Sequence, residues 1–196
     1  MLLFLSSVFL LIITPGPGVL STAGIGSGFG FRAGLAYVSG LWLGNNLVAL
    51  AVVSGLAAIL FSIPWLRTVL LLASSAYLLY MAAKIAFSGS KIAFIRSDVP
   101  PGFMGGLMLQ GINPKAYVVH TTLFSGFAFM PENLTAEILI KFVIMNIVWI
   151  PIHLAWLWAG VALNRLDLPA GKQRLINYFM AFAMLAVVAI ALWFRP

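Results

Sequence analysis

Cysteine is absent from this sequence of 196 residues, and only four residues are acidic. Without cysteine, the chain has no disulfides, no thiolate metal site and no dithiol redox chemistry. Charged residues make up 8% of the chain, whereas soluble domains contain roughly 25%. The sequence is 63% hydrophobic with a mean hydropathy of +1.10. This composition is typical of an integral membrane protein and excludes a soluble catalytic domain.

The 11 basic residues give a formal charge of +7, but they are scattered through apolar sequence. They form no basic stripe of the kind that nucleic-acid-binding proteins present, so we expect no nucleic-acid partner. We interpret them as topology signals in contact with the lipid bilayer surface. The first basic residue is Arg32, so we expect the first apolar stretch to remain as a helix instead of being cleaved as a signal peptide.

Six apolar stretches are each long enough to cross a hydrocarbon core about 30 Å thick. They lie at about 2–24, 34–61, 65–87, 103–129, 138–163 and 175–194. They lack the alternation of barrel strands, and lipid requires internal backbone hydrogen bonding, so they are predicted to be helices. The sequence therefore predicts an all-α integral membrane protein with about six transmembrane helices in a single domain, residues 1–196.

Basic residues near the predicted helix ends favour one orientation in the membrane. One side receives Arg32, Lys84, Lys91, Arg96, Arg165, Lys172 and Arg174. The other side receives Arg67, Lys141 and Arg195. We therefore expect a multi-pass protein of the cell inner or plasma membrane with both termini outside. The orientation depends on the first stretch crossing fully, because five spans would separate the termini.

The chain also reads as two copies of a three-helix unit, at about 1–90 and 100–196. Three pairs of features recur at nearly equal offsets of 99, 100 and 101 residues: Thr14-Pro15 with Asn113-Pro114, Asn46 with Asn146, and Tyr77 with Tyr178. Three helices per unit make the second copy run in the opposite sense, which is the inverted-repeat plan of many secondary transporters.

Proline interrupts the first and fourth predicted spans. Thr14 precedes Pro15, and Asn113 precedes Pro114, so each break offers an N-cap residue followed by a proline in the first helical position. Together with Gly16 and Pro17, these residues predict helices broken within the membrane, whose N-terminal ends carry roughly +0.5 charge each. A carboxylate suits such a place. The alternative is a simple proline kink at each break.

Lys115 follows the second break directly. A lysine at this depth normally faces a cavity or a partner. All four acidic residues are predicted to lie in loops, so the counter-ion of Lys115 is expected to be the substrate. Two alternatives are that the side chain reaches the interface, or that it pairs with a carbonyl freed at a break. The acidic residues are Asp98, Glu132, Glu137 and Asp167.

Other polar residues within the spans either line a pathway or bridge helices. They are Asn45, Asn46 and Asn146, which we add to the candidate substrate-binding residues. His120 and His153 are candidates for proton coupling, because histidine titrates near physiological pH. Trp149, with Trp156 and Trp158, is expected to pack or to lie in the interfacial belt. No cofactor or metal site is predicted.

Several motifs together resemble the lysine-exporter (LysE/RhtB) translocator family across the whole chain. They are Thr14-Pro15-Gly16-Pro17, Gly28-x-Gly30-x-Arg32-Ala33-Gly34, Gly40 with Gly44, Gly55-Leu56-Ala57, Ala76-Tyr77-Leu78-Leu79-Tyr80 and Asn113-Pro114-Lys115-Ala116. The resemblance implies a six-helix exporter of amino acids or derivatives, driven by a proton or ion gradient. It marks three groups of residues as functional. They are Thr14, Pro15, Gly16 and Pro17 of the first proline motif, the loop residues Arg32, Ala33 and Gly34, and Asn113, Pro114 and Lys115 of the second proline motif.

The chain departs from the family pattern at three places. Gly18 stands where many members have asparagine, Asn45 and Asn46 stand where some have an acidic residue, and 125–129 replaces a common Pro-Gln-Phe segment.

Our sequence-based hypothesis is a secondary transporter that exports amino acids or related small polar metabolites by alternating access. An intramembrane enzyme is an alternative, but it requires placed acids, bases or metal ligands, and the sequence has no HExxH motif. A channel or a packing subunit of a membrane complex is a further alternative. The sequence leaves open the substrate, the coupling ion and the oligomeric state, a homodimer included.

Overall fold

The computed structural model describes residues 1–14, 16–56 and 99–165, with scattered residues between 63 and 86 and between 171 and 189. Every regular element in these ranges is an α-helix, as predicted. The helices are α1 (Leu2–Ile13), α2 (Pro17–Val53), α3 (Gly102–Ile112), α4 (Pro114–Ser125) and α5 (Leu134–Arg165). Most of the predicted third and sixth spans lies outside the described residues, as do Arg67, Tyr77, Lys84, Lys91, Arg96 and Arg195.

Among the described residues, α2 and the Leu134–Leu163 part of α5 are long and apolar enough to cross a membrane. Helices α1 and α3 are shorter, about 18 and 17 Å at 1.5 Å per residue, and a hydrocarbon core is about 30 Å thick. Each is followed across a break by another helix, α1 by α2 and α3 by α4. A span at either place therefore requires both helices of the pair.

Helix α2 folds back on itself at Gly30, whose φ of 80° and ψ of 178° are not helical. The Tyr37 hydroxyl donates a hydrogen bond of 2.9 Å to Ser21 Oγ, 16 residues earlier. In a straight helix these residues would be about 24 Å apart. Helix α2 thus consists of an N-terminal arm, 17–29, and a C-terminal arm, 31–53. The turn lies where the sequence predicted a loop, with Arg32 exposed and Gly34 buried.

The N-terminal arm of α2 is the centre of the protein, and every residue from 17 to 27 is buried. Its polar side chains are satisfied locally, because Ser21 and Thr22 both donate to the carbonyl of Gly18 at 2.9 and 2.8 Å. Small residues let this arm be surrounded on all sides by neighbouring helices. The start of α2 is therefore held firmly inside the protein.

The first break does not have the predicted N-cap. Thr14 instead ends α1, and its hydroxyl donates a 2.5 Å hydrogen bond to the carbonyl of Leu10. Gly16 is the N-cap of α2, in extended conformation, and Pro17 occupies the first turn. The expectation for Thr14 was wrong because its hydroxyl bonds back to its own helix, which leaves the next residue before a proline to start α2. Pro15 lies outside the described residues.

The second break agrees with the prediction. Asn113 is the N-cap of α4, its Oδ1 accepts a 3.1 Å hydrogen bond from the backbone N–H of Lys115, and Pro114 opens the helix. The carbonyls released from α3 find donors within the protein. The carbonyl of Gln110 accepts from the N–H of Asn113 at 3.3 Å, and the carbonyl of Gly111 accepts from the Tyr117 hydroxyl at 2.8 Å.

Glycines allow the two arms of α2 to touch neighbouring backbones. A Cβ added to Gly40 would overlap the carbonyl of Phe103, and one added to Gly106 would overlap the carbonyl of Tyr37. The C-terminal arm and α3 therefore cross at backbone contact. In the same way, Gly160 of α5 lies against the carbonyl of Ala23 in the N-terminal arm. Small residues at crossings are the usual way for membrane helices to approach closely.

An asparagine pair joins the C-terminal arm of α2 to α5. Asn46 donates to Asn146 at 3.1 Å and Asn146 donates to Asn46 at 2.9 Å, so the two amides exchange hydrogen bonds. The indole of Trp42 also donates to Asn146 at 2.6 Å. Of the two roles that the sequence allowed, these residues bridge helices.

A buried ion pair in α5 stabilises the segment 124–130, which connects the end of α4 to α5. Lys141 lies 2.8 Å from Glu137, and their side chains are 1% and 4% exposed. Lys141 also donates to the carbonyls of Phe124 and Phe127, where α4 ends. Glu137 accepts from the N–H groups of Phe129 and Met130 at 2.8 and 2.5 Å.

These positions correct one expectation. Glu137 was predicted in a loop, but it lies within α5 and is buried. Lys141 was predicted near the end of the fifth span, and it lies near the start of α5, where it is buried in the protein. The reason is tertiary, because unpaired backbone groups of the segment 124–130 require these charges as partners.

We predict that Gly106→Ala lowers the thermal unfolding temperature in detergent, with a loss of about 1–3 kcal/mol, because the added methyl has no room against Tyr37. Gly111→Ala on the same helix is the matched control, since its Cβ would meet nothing within 4 Å. Equal unfolding temperatures for the two variants would contradict the backbone crossing.

We predict that Asn46→Ala and Asn146→Ala are non-additive, with a coupling energy of about 0.5–2 kcal/mol. A double-mutant cycle on unfolding free energies measures this. Ser39→Ala combined with Asn146→Ala is the control, because Ser39 donates to Ala36 in its own helix. Strict additivity of the asparagine pair would show that the two amides do not interact.

Candidate functional site

A cavity lies where the two helix breaks meet. Its empty volume is about 400 Å³, counting the part that opens to the exterior. Its lining residues are Leu11, Ile12, Gly16, Gly18, Val19, Asn45, Gln110, Asn113, Lys115, Ala116, Val119, His120, Trp149 and His153. The site thus draws on all five described helices.

Lys115 connects the two breaks. Its Nζ donates a 2.5 Å hydrogen bond to the carbonyl of Thr14, at the end of α1. A Cβ on Gly16 would lie 2.8 Å from Cδ of Lys115, so glycine leaves room for the lysine stem. Pairing with a freed carbonyl was one of the alternatives that the sequence left open. Within the described ranges no carboxylate forms an ion pair with Lys115.

Two helix N-termini border the cavity. The residues that line it from these ends are Gly16, Gly18 and Val19 of α2, and Asn113, Lys115 and Ala116 of α4. In α4 the N–H groups of Lys115 and Ala116 donate to the side chain and the carbonyl of Asn113. In α2 the N–H groups of Gly18 and Val19 belong to the first turn, which lacks partners within the helix, and each N-terminus carries roughly +0.5 charge. With the ammonium of Lys115, these ends make one side of the cavity electropositive.

A buried polar network forms another wall. Asn45 Oδ1 accepts from Gln110 Nε2 at 2.9 Å and lies 3.0 Å from His120 Nε2. Gln110 Oε1 in turn accepts from Asn113 Nδ2 at 3.3 Å. These side chains belong to α2, α3 and α4, so the network fixes the cavity wall across three helices.

His153 reaches the cavity from α5. Its Nδ1 lies 3.0 Å from the carbonyl of Trp149, one turn earlier, and its ring stacks on the Trp149 indole with centroids 3.5 Å apart. A Cβ on Gly18 would lie 3.3 Å from His153 Nε2. The glycine at position 18, where the family pattern often has asparagine, leaves this space to the imidazole.

Apolar side chains complete the cavity. Leu11 and Ile12 come from α1, Val19 from α2 and Val119 from α4. The cavity therefore has a polar region and an apolar region, the arrangement of small-molecule sites.

The structure brings together many of the predicted site residues. Gly16, Asn45, Asn113, Lys115, His120 and His153 line the cavity. Thr14 contributes its carbonyl, and Pro17 and Pro114 start the two helices. Four predicted residues lie elsewhere: Asn46 and Asn146 in their mutual pair, and Arg32 and Gly34 at the turn of α2.

Two residues that line the cavity were not predicted from the sequence. The side chain of Gln110 was not considered, and Trp149 was expected to pack or to lie in the interfacial belt. Gln110 precedes Asn113 by three residues, which puts both on one side of α3 where the helix ends. That spacing was the available signal. Trp149 lies four residues before His153, so these two also share a face.

The described residues contain no group of three histidine or acidic side chains placed to hold a metal ion.

Comparisons with known proteins identify related sequences. The sequence profile of the LysE type translocator family matches residues 9–195. The leucine efflux protein of Salmonella typhimurium (strain LT2) is 26% identical over 129 residues, which cover 63% of this chain and 61% of the relative. The leucine efflux protein of Enterobacter sp. (strain 638) is 23% identical over 132 residues, with the same coverage.

The chain thus matches about three-fifths of the length of these relatives. No solved structure matches. Because the family profile covers nearly the whole sequence, the chain belongs to the LysE type translocator family.

Proposed function

We propose that this protein is a secondary transporter that exports amino acids with aliphatic side chains across the cell membrane. The observation that carries the proposal is the cavity between the two helix breaks. It combines a lysine that has no carboxylate partner among the described residues with two helix N-termini and an apolar wall. An amino acid offers a matching carboxylate and side chain.

The substrate carboxylate binds at the electropositive side of the cavity. Lys115 and the N–H groups at the start of α2 are donors, and carboxylates are stabilised at helix N-termini. Lys115 Nζ donates to the carbonyl of Thr14. A carboxylate is a stronger acceptor for an ammonium than a neutral carbonyl is, so the substrate displaces this contact.

The apolar region accepts the substrate side chain. Leu11, Val19 and Val119 offer no hydrogen bonds, and burial of each substrate CH₂ there contributes about 0.8 kcal/mol. The relatives from Salmonella and Enterobacter bear the name leucine efflux protein, which supports an amino acid with an apolar side chain, such as leucine, as the substrate of this chain.

The contact between the breaks supports alternating access. The hydrogen bond from Lys115 to Thr14 joins two segments 101 residues apart, one from each proposed repeat. When the substrate carboxylate binds the ammonium of Lys115, the hydrogen bond to the carbonyl of Thr14 breaks. The two repeats are then free to rotate relative to one another about the site. The proton or ion gradient supplies the energy.

The asparagine pair supports two inverted three-helix repeats, about 1–90 and 100–196. Asn46 and Asn146 are 100 residues apart and exchange hydrogen bonds with each other. Beside a two-fold axis between two repeats, corresponding residues are expected to contact one another reciprocally. In this arrangement Arg32, exposed at the turn of α2, lies on the cytoplasmic side, and both termini lie outside.

We predict that Lys115→Met reduces export of leucine from loaded proteoliposomes by roughly 10- to 100-fold, because a charge-assisted hydrogen bond of about 1.5–3 kcal/mol to the carboxylate is lost. Lys172→Met, at an exposed lysine, is the matched control and should export at the wild-type rate. Wild-type rates in the Lys115→Met protein would remove this lysine from the transport mechanism.

The same vesicles separate transport from passive flow. We expect leucine to accumulate against its gradient when a proton or sodium gradient is imposed, and accumulation to stop when the gradient is collapsed. Flux that only follows the leucine gradient would indicate a channel.

A further inference from the structure

Two histidines that line the cavity each have one ring nitrogen that accepts no hydrogen bond from the described residues. In His120, Nε2 lies 3.0 Å from Asn45 Oδ1, which also accepts from Gln110. An amide oxygen can only accept, so the proton of His120 is on Nε2 and its Nδ1 carries a lone pair. His120 is 2% exposed, and its Nδ1 is a buried polar atom without a partner in the described part of the chain.

His153 has the opposite tautomer with the same result. Its Nδ1 donates to the carbonyl of Trp149, so the lone pair is on Nε2. This nitrogen faces the space beside Gly18. No hydrogen bond to Nε2 occurs within the described ranges. Both histidines line the same cavity, although they come from α4 and α5.

Both nitrogens lack a donor, and Nε2 of His153, which faces the space beside Gly18, is the one that a donating ligand can reach. Buried polar groups are almost always paired, and an acceptor left unpaired costs free energy until a donor arrives. The ammonium of Lys115 donates to the carbonyl of Thr14, and no donor of the described residues makes a hydrogen bond to either imidazole nitrogen. An ammonium group has three donors and no acceptor.

We infer that Nε2 of His153 binds the α-ammonium group of the substrate. The inference rests on the proposed function and completes it. The zwitterion lies with its carboxylate at Lys115 and the start of α2, and its ammonium at the neutral imidazole of His153. Trp149 is a positioning residue, because its carbonyl oxygen fixes the tautomer that presents the lone pair. Nδ1 of His120 is enclosed by the protein and does not contact the ligand.

This arrangement makes protons and the substrate competitors. A proton and an ammonium N–H require the same lone pair, so an imidazole that accepts a proton releases the ammonium. The titratable groups that line the cavity in the described ranges are His120 and Lys115 from α4 and His153 from α5, and no carboxylate lines it. Protonation of His153 therefore releases the substrate.

Binding of four radiolabelled probes to the purified full-length protein in nanodiscs tests this assignment. Leucine has both charged groups, 4-methylpentanoate lacks the ammonium, 3-methylbutylamine lacks the carboxylate, and N,N,N-trimethylleucine keeps the positive charge without N–H donors. We expect wild type to bind leucine at least about tenfold more tightly than each of the other three. Trimethylleucine binding as tightly as leucine would overturn the assignment without any variant.

His153→Leu and His153→Gln are the matched variants. We expect His153→Leu to weaken leucine binding about tenfold and to leave 4-methylpentanoate binding unchanged. His153→Gln should keep the preference for leucine, since an amide oxygen replaces the lone pair, and should lose part of the weakening that wild type shows on acidification. Leucine preference unchanged in His153→Leu contradicts the imidazole assignment alone. Absence of binding by all four probes to wild type contradicts the proposed function itself.

Discussion

The interruption of two helices inside the protein is the constraint on which the rest of the structure depends. A proline removes a backbone donor and releases carbonyls, and apolar surroundings require that every released group find a partner. At the second break, Asn113 and Tyr117 supply the donors. At the first break, the carbonyl of Thr14 receives the ammonium of Lys115. The two breaks are therefore satisfied partly by each other, which brings their N-termini together around one cavity.

The surrounding architecture holds these interrupted ends in place. The N-terminal arm of α2 is buried along 17–27, and glycine contacts fix its crossing with α5 and the crossing of the C-terminal arm with α3. The Glu137–Lys141 pair fixes the segment that follows α4. A cavity built this way is preorganised, because its donors and acceptors are held by backbone and by buried side chains before a ligand enters.

Local rules predicted what local interactions decide. Asn113 before Pro114 was correctly predicted as an N-cap, and Gly30 lies in the predicted loop. At the first break the sequence offers two residues before prolines, and only the hydroxyl bond of Thr14 to its own helix selects Gly16. Tertiary contacts decided the rest. Asn45 and Asn46 are neighbours about 100° apart on a helix, so one faces the cavity and the other faces Asn146, and hydropathy cannot say which.

The central claim is that a substrate carboxylate occupies the space between the breaks and contacts Lys115. Solid-state NMR of the lipid-reconstituted protein measures this contact directly, with ¹⁵N-labelled lysine in the protein and leucine labelled with ¹³C at its carboxylate. The account predicts dipolar dephasing between one lysine Nζ and the carboxylate carbon that corresponds to about 4 Å, an ion-pair distance, and its loss in the Lys115→Met protein. Bound leucine whose carboxylate shows no dephasing by any lysine nitrogen would contradict the account.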